Sequence, residues 1–397
     1  MKRAICFLAI SLIIMTGCGG GGSINQSDDY ITIDVTGRYP QKELILQDFM
    51  DVEYIALETS REFLCQGVIQ AIGNDFIIVT NRVRDGDIFI FDRNGKGLKK
   101  FNRMGRGGEE YINIGEIILD EENSEIFVSD WNKILVYDLF GNFKRSLRFD
   151  EGYGYASIYN FDSENLICQN SSFNNEEIID KSPFVIISKH DGSINKEIQV
   201  SVQHKIPSYK RINHNGIIVT TYTSNFPSRA VIPYHNSWII TTYSNDTIFR
   251  YMPDHSVIPF MVRTPSIESN NAEAFLALGI LTERYYFLQT QKIEPEVRGT
   301  TPQNIIAVFP VTHLMFDRQE NRIYEYTVYN DDFSPKRPVE NLIKRPVNNE
   351  IVFWQRLEAD DLFDAYREGQ LKGRLKEIAA GLKEEDNPVI MLVKHKR

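Results

Sequence analysis

The chain has 397 residues, with 44 Lys and Arg against 54 Asp and Glu, a formal net charge of −10. An acidic body repels phosphate backbones, which argues against a nucleic-acid partner. The length exceeds what one core normally fills, so either two domains or one repetitive architecture is expected.

Lys2 and Arg3 open the chain, and an apolar run from Ala4 to Met15 follows. A basic start, a short apolar stretch and small residues before a cleavage point describe a secretory signal over residues 1–17. The run is shorter than the about 20 residues a membrane-spanning helix needs. It ends Met15-Thr16-Gly17-Cys18, which resembles the lipobox of bacterial lipoproteins, with Met in place of the usual Leu. The resemblance implies acylation of Cys18, by chains such as palmitate, and a lipid bilayer as the first partner. Each buried methylene would contribute about 0.8 kcal/mol to that anchor. The alternative is an ordinary cleaved signal in which Cys18 is incidental.

Residues 18–29 begin with Gly19-Gly20-Gly21-Gly22-Ser23 after Cys18, the composition of a flexible tether. The first acids are Asp28 and Asp29. Surface-displayed lipoproteins of some Gram-negative bacteria carry acids directly after the cysteine, so the outer membrane is expected but its face is left open. Cys6 departs with the signal, leaving Cys65 and Cys168. A disulfide suits an oxidising envelope; two buried thiols are the simpler reading.

From residue 30 to 397 the sequence is β-prone and repetitive. Ile88-Phe89-Ile90-Phe91-Asp92-Arg93-Asn94-Gly95 is matched by Ile134-Leu135-Val136-Tyr137-Asp138-Leu139-Phe140-Gly141. Each is an apolar strand followed by a turn in which Gly supplies a positive φ and Asp bonds the local backbone. Phe76–Thr80 and Ile126–Ser129 precede these strands; Leu98–Phe101 and Phe143–Phe149 follow them. Several short strands per unit, repeated in the forties, predict a β-propeller.

The second unit runs Phe101, Gly105, Gly107-Gly108, Ile117, Asp120, Ile126-Phe127-Val128, Asp130, Asn132, Ile134, Val136-Tyr137-Asp138, Gly141. It resembles an NHL-type propeller repeat. Weaker units follow at Val185–Ser188 with Asp191-Gly192, at Trp238–Tyr243 with Thr247–Tyr251, at Tyr285–Gln289 with Thr312–Phe316, and at Ile351–Trp354 with Val389–Val393. The whole resembles the six-bladed β-propeller lipoproteins of Gram-negative gut bacteria, which implies an all-β six-bladed fold. The terminal strands Tyr30–Val35 and Val52–Leu57 are expected to pair with the last blade and with Val389–Val393, removing an open sheet edge. Two unrelated β-domains are the competing reading. A helical insertion over about 360–383 is expected in the last blade, with Asp360 as N-cap and an apolar stripe of Leu371, Leu375, Ile378, Ala379 and Leu382 facing its own core.

The most unusual stretch is Arg103-Met104-Gly105-Arg106-Gly107-Gly108-Glu109-Glu110-Tyr111, which links blade one's outer strand to blade two's inner strand. Arg103, Arg106, Glu109, Glu110 and Tyr111 are candidate ligand contacts, since Arg recognises carboxylates and sugars offer hydroxyls. The plainer reading, favoured by the family resemblance, is a structural turn in which Arg106 or Glu110 ties adjacent blades. Trp131 and Asn132 join the candidates, although Trp131 is read first as packing and Asn132 as a turn residue. His190, His204, His214, His235, His255, His313 and His395 share no blade phase, so no metal and no cofactor is expected. Asp120 and Asp130 could bind calcium only if clustered. No GxSxG, Gly-Lys-Ser/Thr or HExxH motif occurs.

These features favour a non-enzymatic binding or scaffold module of the bacterial envelope, with a glycan, peptide or envelope protein as ligand. The alternative is a propeller lyase, lactonase or glycan-acting enzyme with its site in the axial channel. The anchor is directly testable: Cys18→Ser is expected to release the protein from the membrane fraction or leave an unprocessed precursor. Unchanged processing and acyl labelling would refute acylation at Cys18.

Overall fold

The computed structural model describes residues 30–151, 153–170, 182–200, 209–214, 216–222, 230–242, 245–269, 273–299, 304–339, 342, 348 and 350–396. The signal segment, Cys18, the tether and His204 lie outside them. The described residues form a six-bladed β-propeller. Blade one is Val68–Ile72, Phe76–Thr80, Asp87–Asp92 and Gly97–Asn102, paired in that order from the axis outward. Blade two runs from Ile117–Asp120 to Phe143–Arg148, blade three from Tyr155–Asn160 to Ile194–Ile198, and blade four from Val231–Tyr234 to Val257–Thr264. Blade five runs from Ala274–Leu281 to Arg322–Asn330 and carries the hairpin Glu296–Arg298 with Ile306–Val308. Blade six is Ile351–Leu357, Val389–His395 and Met50–Ala56. A further hairpin, Tyr209–His214 with Ile217–Tyr222, separates blades three and four.

The middle strands are continuous apolar runs because both of their faces are covered by neighbouring blades. Ile77, Ile78 and Val79 are all fully buried, as are Phe89, Ile90 and Phe91. The buried apolar side chains fall into six clusters, one at each interface between successive blades. Each fully buried Ile or Phe contributes about 1.5–3 kcal/mol relative to exposure.

The Asp…Gly turns behave as their local chemistry dictates. Asp92 Oδ1 accepts the amides of Asn94 and Lys96, and Asp138 Oδ1 those of Phe140 and Asn142. Gly95, Gly141 and Gly192 take φ of 83, 82 and 83°. Their second role is inter-blade. A Cβ on Gly141 would stand 2.5 Å from the Phe101 ring, and one on Gly95 2.0 Å from the Ala56 carbonyl oxygen. In both, the turn of one blade seats on the outer strand of the blade before it. Blade four places His255 in the same left-handed position, at φ 69°, within hydrogen-bond distance of Tyr251 Oη.

Closure differs from expectation in one part. Met50–Ala56 does pair with Val389–His395, but Ile31–Asp34 does not reach the last blade. It adds in parallel to the outer strand of blade four, with Ile31 opposite Met261 and Asp34 opposite Thr264. Gln41–Ile45 adds in parallel to the outer strand of blade five. The N-terminal segment is thus a belt around three rims. The belt covers outer strands that are apolar or aromatic, Val-Ile-Pro-Phe-Met-Val and Ile-Tyr-Glu-Tyr-Thr-Val-Tyr. The uncovered outer strands carry charge instead: Lys99 and Lys100, Lys144 and Arg145, Lys196 and Glu197, Asp51 and Glu53. Charged edges discourage pairing with a second chain.

The helical insertion is two helices, Ala359–Arg367 and Gly373–Ala379, broken at Gly369, where φ is 70°. The N-cap is Glu358 rather than Asp360, without a side-chain cap bond. Leu362, Ala365, Leu371, Leu375 and Ala379 are buried in the cluster between blades five and six, so the stripe faces its own core. Cys65 and Cys168 are free and buried. Burial pushes the Cys65 thiol up to about 11 and raises that of Cys168 well above the ordinary range. No helix among the described residues is long and apolar enough to cross a membrane.

Lys42 clamps the belt to blade five, 2.9 Å from the fully buried Asp317 carboxylate, which also meets Arg284 at 2.9 Å. Burial alone would raise the Asp317 carboxyl. Hydrogen bonds from Arg284 and Lys42 outweigh it and hold the group at about 2. An unfolded Asp titrates near 3.9, so the clamp contributes fully above that pH and is lost as pH falls through the folded value. Lys42→Met is therefore expected to cost about 1–3 kcal/mol near neutral pH. The deficit should shrink toward zero as unfolding is measured down to about pH 2.

Candidate functional site

Two places gather polar or aromatic side chains that the fold leaves accessible: the loop following blade one, and the propeller axis. The loop is closed on itself. Gly105 N donates to the Tyr111 carbonyl at 3.0 Å and Tyr111 N to the Arg103 carbonyl at 3.1 Å. Tyr111 is fully buried. Its Oη donates to the Gly86 carbonyl at 2.6 Å and accepts the Arg103 amide at 2.9 Å. Burial pushes this phenol up to about 12. Tyr111 is therefore a core plug between the blades. The Glu109 and Glu110 carbonyls accept from Tyr137 Oη and Lys133 Nζ of blade two.

The charged groups of the loop divide unequally. Arg103 Nε donates to the Gly141 carbonyl at 2.9 Å, so Arg103, rather than Arg106 or Glu110, is the side chain that ties blade one's exit to blade two. The Glu110 carboxylate accepts the Gly107 amide within its own loop at 2.8 Å. Arg106 is exposed and makes no ion pair among the described residues. None of the three loop glycines has a left-handed φ. The tightest is Gly105, where a Cβ would lie 2.0 Å from Glu110 Oε2; at Gly107 the distance is 3.1 Å and at Gly108 the space is open.

Trp131 and Asn132 form the two-residue turn between the middle strands of blade two. Trp131 has φ 41° and is 76% exposed, so it does not pack as expected: a tight turn at the disc's face projects its side chain outward. Asn132 is exposed. Ile112, 58% exposed, stands beside this turn, because its amide and that of Asn113 bond the Asp130 carboxylate. Asp130 is thereby occupied by backbone donors. Among the described residues no group of three His, Cys, Asp or Glu is placed to hold a metal.

The axial cavity has a volume of about 370 Å³. The inner strands of blades one to four line it, together with Asn348 and Trp354. Its aromatic wall includes Trp238, stacked on Phe161 with centroids 5.5 Å apart and 29° between planes. Three of its carboxylates fasten the blades. Glu121 accepts the amides of Asn74, Asp75 and Phe76 at 2.6, 2.8 and 3.1 Å, clasping the first turn of blade one. Gly73 leaves room for this carboxylate, since a Cβ there would meet Glu121 Oε1 at 2.1 Å. Glu116 accepts the Ile158 amide of blade three at 3.0 Å. Asp120, 1% exposed, pairs with the buried Lys189 of blade three at 2.7 Å. Of these carboxylates only Asp120 is singled out from the sequence, although the Asp120-Glu121-Glu122 run closing an inner strand is a visible signal.

Substituting the loop tests its role. Gly105→Val displaces Glu110 from the Gly107 amide and is expected to destabilise by about 1–3 kcal/mol. Gly107→Val should cost less, and Arg106→Ala should stay within about 0.5 kcal/mol. Thermal unfolding of the three variants gives the order.

No curated protein matches this chain. Among solved structures, a protein of Bacteroides fragilis described as exported aligns at 15% identity, covering 90% of this chain and 99% of its own, with a TM-score of 0.54. That likeness supports the fold. Virginiamycin B lyase from Staphylococcus aureus aligns at 13% identity over 87% of this chain and 100% of its own, with a TM-score of only 0.37. Residues 30–394, the belt and all six blades, match the family described as a domain of unknown function, DUF4934, and the chain belongs to that family.

Proposed function

We propose that this protein is a lipid-anchored binding module of the bacterial cell envelope that takes its ligand in the axial cavity. The lipobox-like Cys18 and the NHL-like register of blade two support the location and the scaffold. One observation carries the binding role: a cavity of about 370 Å³ on the axis, walled by Tyr159, Phe161, Trp238 and Trp354. Ligand pockets of about 300–1,000 Å³ with aromatic walls and a few fixed polar groups are the common form of small-molecule sites. A general acid or base must reach substrate with its proton position free. Here Asp120 is held by Lys189 and Glu121 by three backbone amides, so these carboxylates serve the scaffold. This favours binding over turnover.

Titration with envelope glycan fragments and short peptides, followed by intrinsic tryptophan fluorescence, tests the proposal. Trp238→Ala is expected to weaken a bound ligand by about ten-fold or more. Trp131→Ala, at the exposed turn, should leave that affinity unchanged. Chemical conversion of a bound fragment, or a neutral effect of Trp238→Ala, would overturn it.

A further inference from the structure

Among the described residues the cavity's lining is one-sided in charge: it contains the carboxylates of Glu116, Asp120, Glu121 and Glu122 and the amides of Gln70, Asn74, Asn160 and Asn348, and none of these lining residues is Lys, Arg or His. Lys189 neutralises Asp120 from within the interface of blades two and three. The partners of Glu121 are backbone amides, which orient the carboxylate and bring no opposite formal charge to it. Glu122, on the turn beside it, is exposed to solvent.

The wall adds a second, independent preference. An aromatic ring face carries negative potential and attracts a cation by about 0.5–2 kcal/mol, most strongly at tryptophan. Trp238 is fixed against Phe161, and Trp354 lies in the same cavity. Carboxylates and ring faces around one concave space, enclosed by low-dielectric blades, focus negative potential inward.

We infer that the axial cavity selects a ligand carrying an organic cation: an amine, an amino sugar or a basic side chain of a peptide. This rests on the reading of the cavity as the ligand site, and it excludes phosphorylated, sulfated and carboxylated ligands from that site. The charge comes from Glu121 and Glu122, and the apolar contact from the ring of Trp238.

The experiment uses two probes that share one pyranose ring, glucosamine with a cationic C2 amine and N-acetylglucosamine with a neutral C2 amide, titrated into the intact mature protein near neutral pH. Glucosamine is expected to bind about five-fold tighter or more, an advantage that shrinks between about 20 and about 300 mM salt. Glu122→Gln should reduce glucosamine affinity by about three-fold and leave N-acetylglucosamine unaffected. Trp238→Ala should weaken both. Equal or tighter binding of N-acetylglucosamine, abolished by Trp238→Ala, overturns the charge preference and keeps the cavity as a ligand site. Binding of either sugar that is indifferent to Trp238→Ala, or no binding of either one, overturns the inference. Neutral fragments that still bind in a Trp238-dependent way then separate its failure from that of the binding role.

Discussion

The structure depends on the burial of both faces of each blade's middle strands. Ile77 to Val79 and Phe89 to Phe91 have no solvent-facing side, so blade one has no finished core without blades six and two. The same holds around the ring, and each of the six apolar clusters draws on two successive blades. A chain built this way must close, because an unclosed ring would expose one such cluster on each terminal blade. Met50–Ala56 closes it by supplying the outer strand of blade six next to Val389–His395, uniting the two ends of the sequence.

Burying the inner surface leaves the rim, where every outer strand presents an unpaired edge. Two solutions coexist. Four blades hold charged or acidic residues on the outer strand, and two are covered by the belt. The belt strand on blade five is also tied by Lys42 to the buried Asp317. The left-handed turns complete the seating of one blade on the next. Gly141 fits against Phe101 only because it lacks a Cβ.

The same fastenings shape the axis. Glu121 holds the first turn of blade one, and Glu116 and Asp120 join blade two to blade three. Inner-strand carboxylates placed for cohesion also face the axial cavity, and the aromatic pair Phe161 and Trp238 spans blades three and four beside it. A site of this kind combines a rigid wall with a fixed sign of charge. Rigidity lowers the entropy lost on binding, since the contacts are already in place.

What the sequence determined by itself is local. The Asp…Gly turns, the apolar middle strands and the separation of Asp92 from Asp138 are legible because turn chemistry and strand burial act over a few residues. The helical stripe from Leu371 to Ala379 was legible for the same reason, and the break at Gly369 only in outline. Tertiary structure decided the rest. The parallel pairing of Ile31 with Met261 has no hairpin to fix its register, so pairing with the last blade was an equally good expectation. Lys189 finds Asp120 from a different blade, across 69 positions. Tyr111 is a plug and Trp131 an exposed tip, although both are aromatic residues outside the strands. Their difference is set by contacts distant in the chain: Tyr111 reaches the Gly86 carbonyl and the Tyr137 ring, whereas the two-residue turn leaves the Trp131 ring exposed.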